Sequence, residues 1–117
     1  MSLIEPAPLA NFTTMQVGGV PKSINRCESA AELYAAVIEA WNSDEEFQIL
    51  GGGSNTVFAD DVADLNVILV ANLGKEVVSQ DESSITVRVQ SGESWDGFVE
   101  WAVENGYAGI EAMSGIP

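Results

Sequence analysis

A chain of 117 residues with 46% apolar content is long enough for one domain or part of a larger one, and too apolar for a disordered acidic tail. Its 18 Asp and Glu face only 4 Lys and Arg, a net charge of −14, so nucleic acid and anionic membranes, which need cationic partners, are not expected ligands. Histidine is absent, Cys27 stands alone, no apolar run nears the roughly 18 residues of a membrane span, and the N-terminus lacks a signal peptide's basic and apolar regions; no metal centre, disulfide or export is expected, and the cytoplasm is.

Residues 1–10 are Pro-rich and weakly patterned, and read as an arm. Asn11 to Gly19 reads as an extended segment ending in a Gly18-Gly19 turn. Val20 to Cys27 suggests a strand, with Pro21 making its start an edge or a bulge. Ser29-Ala30-Ala31-Glu32 is a capping box, in which hydroxyl and carboxylate satisfy each other's backbone donors. Leu33, Ala36, Val37, Ala40 and Trp41 follow at helical spacing and predict a helix over Ala30 to Trp41 with one buried stripe. Phe47 to Leu50 is a short apolar strand running into glycines. Val57 and Phe58 are expected to close on the core, and Asp60 to Asp64 to form an acidic loop. Leu65 to Val70, nearly all apolar, reads as a strand buried on both faces. Strand, helix and buried strand together call for parallel pairing.

The pattern changes near Gly74. Glu76 to Gln80 and Ser84 to Gln90 alternate polar and apolar residues around Asp81-Glu82-Ser83, as a hairpin does. Ser94 is the expected cap of a second helix whose buried face carries Trp95, Phe98, Val99, Ala102 and Val103, with Trp101 off that face and Gly106 closing it. A parallel unit followed by an antiparallel one gives an α+β chain in two subdomains, residues 11–72 and 73–117.

The chemistry concentrates in Gly51-Gly52-Gly53-Ser54-Asn55. Glycines without Cβ atoms let the backbone approach a ligand, and successive N–H groups turned to one point form an anion nest. Each hydrogen bond to a charged oxygen contributes roughly 1.5–3 kcal/mol, so three or four would hold a pyrophosphate without Lys or Arg. The same run would equally serve a tight turn with no ligand. A Walker loop would need a Lys after the last glycine, and a Rossmann fingerprint would need spaced glycines opening a helix; neither is present.

Ile49-Leu50-Gly51-Gly52-Gly53-Ser54-Asn55-Thr56-Val57-Phe58 closely resembles the flavin pyrophosphate loop of the UDP-N-acetylenolpyruvoylglucosamine reductases (UDP-N-acetylmuramate dehydrogenases) of peptidoglycan synthesis. Asn11-Phe12-Thr13-Thr14 is similar to that family's opening segment, and Ser91-Gly92-Glu93-Ser94-Trp95 to its Ala-Gly-Glu-x-Trp stretch. Gly106-Tyr107-Ala108-Gly109-Ile110-Glu111 and Ser114-Gly115-Ile116-Pro117 resemble its Gly-Leu-Glu and Gly-Ile-Pro-Gly segments. The resemblance covers nearly everything after residue 10 and implies an FAD-binding domain of the two-part kind shared with vanillyl-alcohol oxidase (PCMH type), here truncated.

It further implies that FAD is the cofactor, held by Gly51, Gly52, Gly53, Ser54 and Asn55 and by a second loop of Ser114, Gly115, Ile116 and Pro117. Partners of the full-length enzyme would be NADPH and UDP-N-acetylglucosamine enolpyruvate. The family's catalytic serine, arginine and glutamate lie beyond the Gly-Ile-Pro segment, so no residue here is expected to be catalytic and the fragment alone is expected to be inactive, weak in FAD binding and prone to self-association. The alternatives are another FAD oxidoreductase of the same fold, or a non-catalytic binding module.

Overall fold

The computed structural model describes residues 2–116. Four strands form the first sheet: β1 (Ser2–Ile4), β2 (Ser23–Cys27), β3 (Phe47–Leu50) and β4 (Asn66–Val70), in the order β1-β2-β4-β3. β4 pairs in parallel with both β2 and β3, Cys27 facing Val70 and Leu50 facing Leu69. The expected βαβ arrangement is therefore present, with the apolar run of β4 at its centre.

Alternation along β4 divides the core in two. Val67 and Leu69 point to one face, where they join Leu9, Ile24, Leu50 and Phe58. Ile68 points to the other and packs with Cys27 and Ala36 beneath helix α1 (Ala30–Asn42). Each fully buried leucine here contributes about 1.5–3 kcal/mol. Burial raises the Cys27 thiol above its ordinary value, with the Glu32 charge adding to it, so this cysteine sits as a small core residue.

The N-terminal segment is not a free arm. Ser2–Ile4 pairs antiparallel with β2, and Leu9 is fully buried at the head of a 3-10 turn, Leu9–Phe12. The Leu9 N–H bonds to the Gly19 carbonyl at 2.8 Å, so Gly18-Gly19 brings that turn onto the sheet. The residues expected to be extended from Asn11 onward thus begin as a turn of helix.

In the capping box, Ser29 Oγ accepts from the Glu32 N–H at 3.2 Å as expected. The Glu32 carboxylate reaches one residue further back than a capping box requires, accepting from the Glu28 N–H at 2.8 Å. Trp41 is a second correction, since it is 75% exposed. Leu33, Ala36, Val37 and Ala40 cover the sheet, while Tyr34, Ile38 and Trp41 form a parallel stripe turned outward. Both stripes repeat at helical spacing, and Trp41 belongs to the second. Val57 is also exposed, leaving Phe58 alone to close on the core.

Ala71–Gly74 carries the chain into a two-stranded sheet, β5 (Lys75–Gln80) and β6 (Ile85–Val89), antiparallel with an irregularity between Val77 and Ser79. Helix α2 (Trp95–Glu104) follows, capped by Ser94, whose Oγ accepts from the Gly97 N–H at 3.2 Å. Only Val99 and Ala102 are buried on it. Trp95 and Val103 were expected there too and are exposed. Instead, a row of rings runs along the helix: Trp95 to Phe98, Phe98 to Trp101 and Trp101 to Tyr107, with centroids 5.8, 5.9 and 5.6 Å apart. That row takes in Trp101, which finds its packing within this chain. Among the described residues, no helix is long and apolar enough to cross a membrane.

Candidate functional site

β3 ends at Leu50, locked in the core at 1% exposure, and the chain turns outward at Gly51. The three glycines then serve different purposes. A Cβ at Gly51 would meet nothing within 4 Å, and one at Gly52 only Ser54 Oγ at 3.9 Å. Internal packing does not demand glycine at either place. Gly53 has φ +71°, and a Cβ there would collide with the Phe12 carbonyl and sit 2.9 Å from Thr13 Cα. Its own carbonyl accepts from the Thr14 N–H at 3.1 Å, tying the loop to the 12–14 segment. Gly53 is a glycine because of the protein; Gly51 and Gly52 face outward.

Gly51, Gly52 and Ser54 line a cavity of about 470 Å³ with Val70, the Ser91–Asp96 segment and Ile116. It opens beyond the carboxyl ends of β3 and β4, where parallel sheets place their ligands. Among the described residues, the N–H groups of Gly52, Gly53 and Ser54 have no hydrogen-bond acceptor. Of these, Gly52 and Ser54 line the cavity with Gly53 between them, a run of donors of the kind that makes an anion nest, and the first turn of α2 adds the positive end of a helix across the cavity. Asn55 is exposed and does not line it.

The far wall is held from α2. The Asp96 carboxylate accepts from the Gly115 N–H at 2.7 Å and from Ser114 Oγ at 2.9 Å, which keep its carboxyl below its ordinary value. Trp95 Nε1 donates to the Met113 carbonyl at 2.7 Å. The segment around Ser114 is thereby fastened to the helix start, and Ile116 enters the cavity lining. Ser114 and Gly115 spend their donors on Asp96 and do not line it. Pro117 lies outside the described residues.

Two carboxylates stand at this wall, and both are engaged. Glu93 accepts from Lys75 Nζ at 2.9 Å and from the Gly74 N–H at 2.8 Å; these two, Lys75 foremost, hold its carboxyl below the usual range. Among the described residues, no Lys or Arg lines the cavity. Any anion bound here rests on backbone N–H groups, hydroxyls and a helix end.

Residues 21–117 match the family model of the FAD binding domain. The chain belongs to that family. FAD is the cofactor of this FAD binding domain, and the α+β, two-sheet architecture is its two-part fold. The chain is 42% identical over 115 residues to the UDP-N-acetylenolpyruvoylglucosamine reductase of Leifsonia xyli, covering 98% of this chain and 30% of that protein. Against the reductase of the same name from Mycolicibacterium smegmatis it is 36% identical, covering 100% of this chain and 31% of the relative. The crystal structure of the UDP-N-acetylenolpyruvylglucosamine reductase of Thermus caldophilus superimposes with a TM-score of 0.67 at 27% identity, covering 100% of this chain and 39% of that one. The chain spans about 30% of the length of the curated relatives it matches.

The residues present fit FAD. A dinucleotide pyrophosphate requires donors without bulk, and the open Gly51 and Gly52 positions beside three free N–H groups supply them. Ser91–Asp96 carried no assigned role in the sequence. Its signals were the resemblance of Ser91-Gly92-Glu93-Ser94-Trp95 to the family's Ala-Gly-Glu-x-Trp stretch and its position between a predicted hairpin and the cap of a predicted helix.

Proposed function

We propose that this chain is the FAD-holding part of a UDP-N-acetylenolpyruvoylglucosamine reductase, with the flavin pyrophosphate in the cavity between Gly51–Ser54 and Ser91–Asp96. The observation that carries it is the coincidence of a cation-free anion nest with relatives of that name along 93–100% of this chain. The residues in contact are Gly51, Gly52, Ser54 and Ile116, with Gly53 contributing its N–H. Ser114 and Gly115 hold the second loop through Asp96, and Asn55 follows the glycine loop without lining the cavity. The two subdomains are residues 11–72 and 73–117, with the N-terminal residues joining the first.

Bound FAD supplies hydride transfer from NADPH to the enolpyruvyl ether of UDP-N-acetylglucosamine, giving UDP-N-acetylmuramate in the cytoplasm. This chain's residues bind and orient the cofactor. Glycine N–H groups neutralise pyrophosphate charge, Leu50 fixes the loop to the core, and Val70 and Ile116 present apolar surface that excludes water. No residue of the chain takes a catalytic role.

The test is NADPH oxidation by the intact protein, with and without UDP-N-acetylglucosamine enolpyruvate. Oxidation that depends on the sugar nucleotide supports the reductase. Flavin turnover indifferent to it, or driven by oxygen with another small molecule, points to a different oxidoreductase of the same fold.

A further inference from the structure

Among the described residues the two sheets share no strand pairing, so something else must set the distance between the cavity's walls. Among the described residues, every hydrogen bond from residues 2–73 to residues 74–116 is made by Asn72. Its Nδ2 donates to Gln90 Oε1 at 2.8 Å, its Oδ1 accepts from Ser91 Oγ at 3.2 Å, and its carbonyl accepts from the Gly92 N–H at 3.0 Å. Asn72 is 3% exposed, so its own end of each bond is shielded from competing water. Gly92 seals the contact: a Cβ there would lie 2.5 Å from the Asn72 carbonyl oxygen and 2.6 Å from its nitrogen.

The joint stands directly at the cavity. Val70, two residues before Asn72, lines one side, while Ser91 and Gly92, two of its three partners, line the other. We infer that Asn72 is the positioning residue of the FAD cavity, fixing the Ser91–Asp96 wall against the Gly51–Ser54 edge. The inference rests on that cavity being the flavin site. An amide suits the position, because Gln90 needs a donor and Ser91 an acceptor from one short side chain. Leucine fills similar space and offers neither.

The test is FAD titration of the protein followed by flavin fluorescence, with a thermal melt of each variant without FAD. Asn72→Leu and Gln90→Leu are expected to raise the Kd by about tenfold, a wall displacement of the size that loosens binding sites. Asn72→Asp is expected to restore the Kd to within about threefold, since a carboxylate accepts from Ser91 and from the Gln90 amide once that amide turns round. Ile24→Val, a core change remote from the joint, lowers the melt and leaves the Kd in place, which separates positioning from general loss of stability. If Asn72→Leu does not fold, Gln90→Leu decides, because it leaves Asn72 intact. An unchanged Kd in Gln90→Leu, with FAD binding lost in Gly52→Val, overturns the role of Asn72. An unchanged Kd in Gly52→Val overturns the cavity itself.

Discussion

The indole of Trp95 donates its N–H to the Met113 carbonyl at 2.7 Å, joining the first residue of a helix to a loop 18 positions later. The neighbouring Asp96 takes the next two donors of that loop, Ser114 Oγ and the Gly115 N–H. Trp95→Phe keeps an aromatic ring beside Phe98 and removes the indole N–H together with part of the ring surface. A neutral hydrogen bond contributes about 0.5–1.5 kcal/mol. The expected result is a small drop in the melt and an FAD Kd raised by about three- to tenfold, because Trp95 itself and Ile116, on the loop it holds, both line the cavity. An unchanged Kd by fluorescence titration would show that the loop does not contribute.

Adjacent glycines are expected to respond in opposite ways. Gly53→Ala places a Cβ against Phe12 at φ +71°, and the strain with the clash costs more than about 1 kcal/mol, read as a lower urea midpoint. Gly51→Ala meets open space and leaves the urea midpoint close to wild type. Its effect falls on FAD, whose Kd rises. Equal midpoints for the two variants would refute the division of labour drawn between them.

Thr13 Oγ1 is buried without a hydrogen-bond partner among the described residues, behind Gly53. An unsatisfied buried hydroxyl costs about 1–3 kcal/mol. Thr13→Val, nearly the same shape without the hydroxyl, should melt at the same temperature or higher without FAD. A fall in the melt would show that the hydroxyl has a partner.

At the tip of the β5–β6 hairpin, Asp81 accepts from the Ser83 and Ser84 N–H groups, each at 2.8 Å, and from both hydroxyls at 3.0 Å. These bonds, the Ser83 N–H first, lower its carboxyl from 3.8 to about 2. A depressed folded value means that the turn's stabilisation is complete above pH 3.8 and is lost as the pH falls towards 2. NMR titration of the Ser83 and Ser84 amides should follow Asp81 with a midpoint near 2. A midpoint at 3.8 would contradict the turn as described.

Much of this architecture was legible because local chemistry and tertiary packing agree. Ser29 and Glu32 mark the start of α1, and the unbroken apolar run of β4 marks the sheet's centre. The misreadings occur where local pattern permits two answers. On α1, Leu33-Ala36-Val37-Ala40 and Tyr34-Ile38-Trp41 repeat at similar intervals, and only the sheet's position decides between them. Leu9 is buried through the backbone of Gly19, a contact no pattern within residues 1–10 announces. At the site, contiguous glycines announced the nest, but which of them faces outward depends on Phe12, far off in sequence. Asn72 reads as an ordinary turn residue until Gln90, Ser91 and Gly92 are seen around it. Ser114 and Gly115 sit in a motif that suggests ligand contact, yet Asp96 in the preceding helix takes their donors.

The absence of any Lys or Arg from the cavity lining has a consequence for ionic strength. Phosphate sites built from cations lose affinity as added salt screens the attraction. With FAD in the proposed cavity, the attraction would come from short-range backbone donors, while the long-range field of a chain with net charge −14 would repel the dinucleotide. Added salt therefore screens the repulsion and spares the bonds. FAD association with this protein should become faster, and its binding no weaker, as sodium chloride is raised through the physiological range.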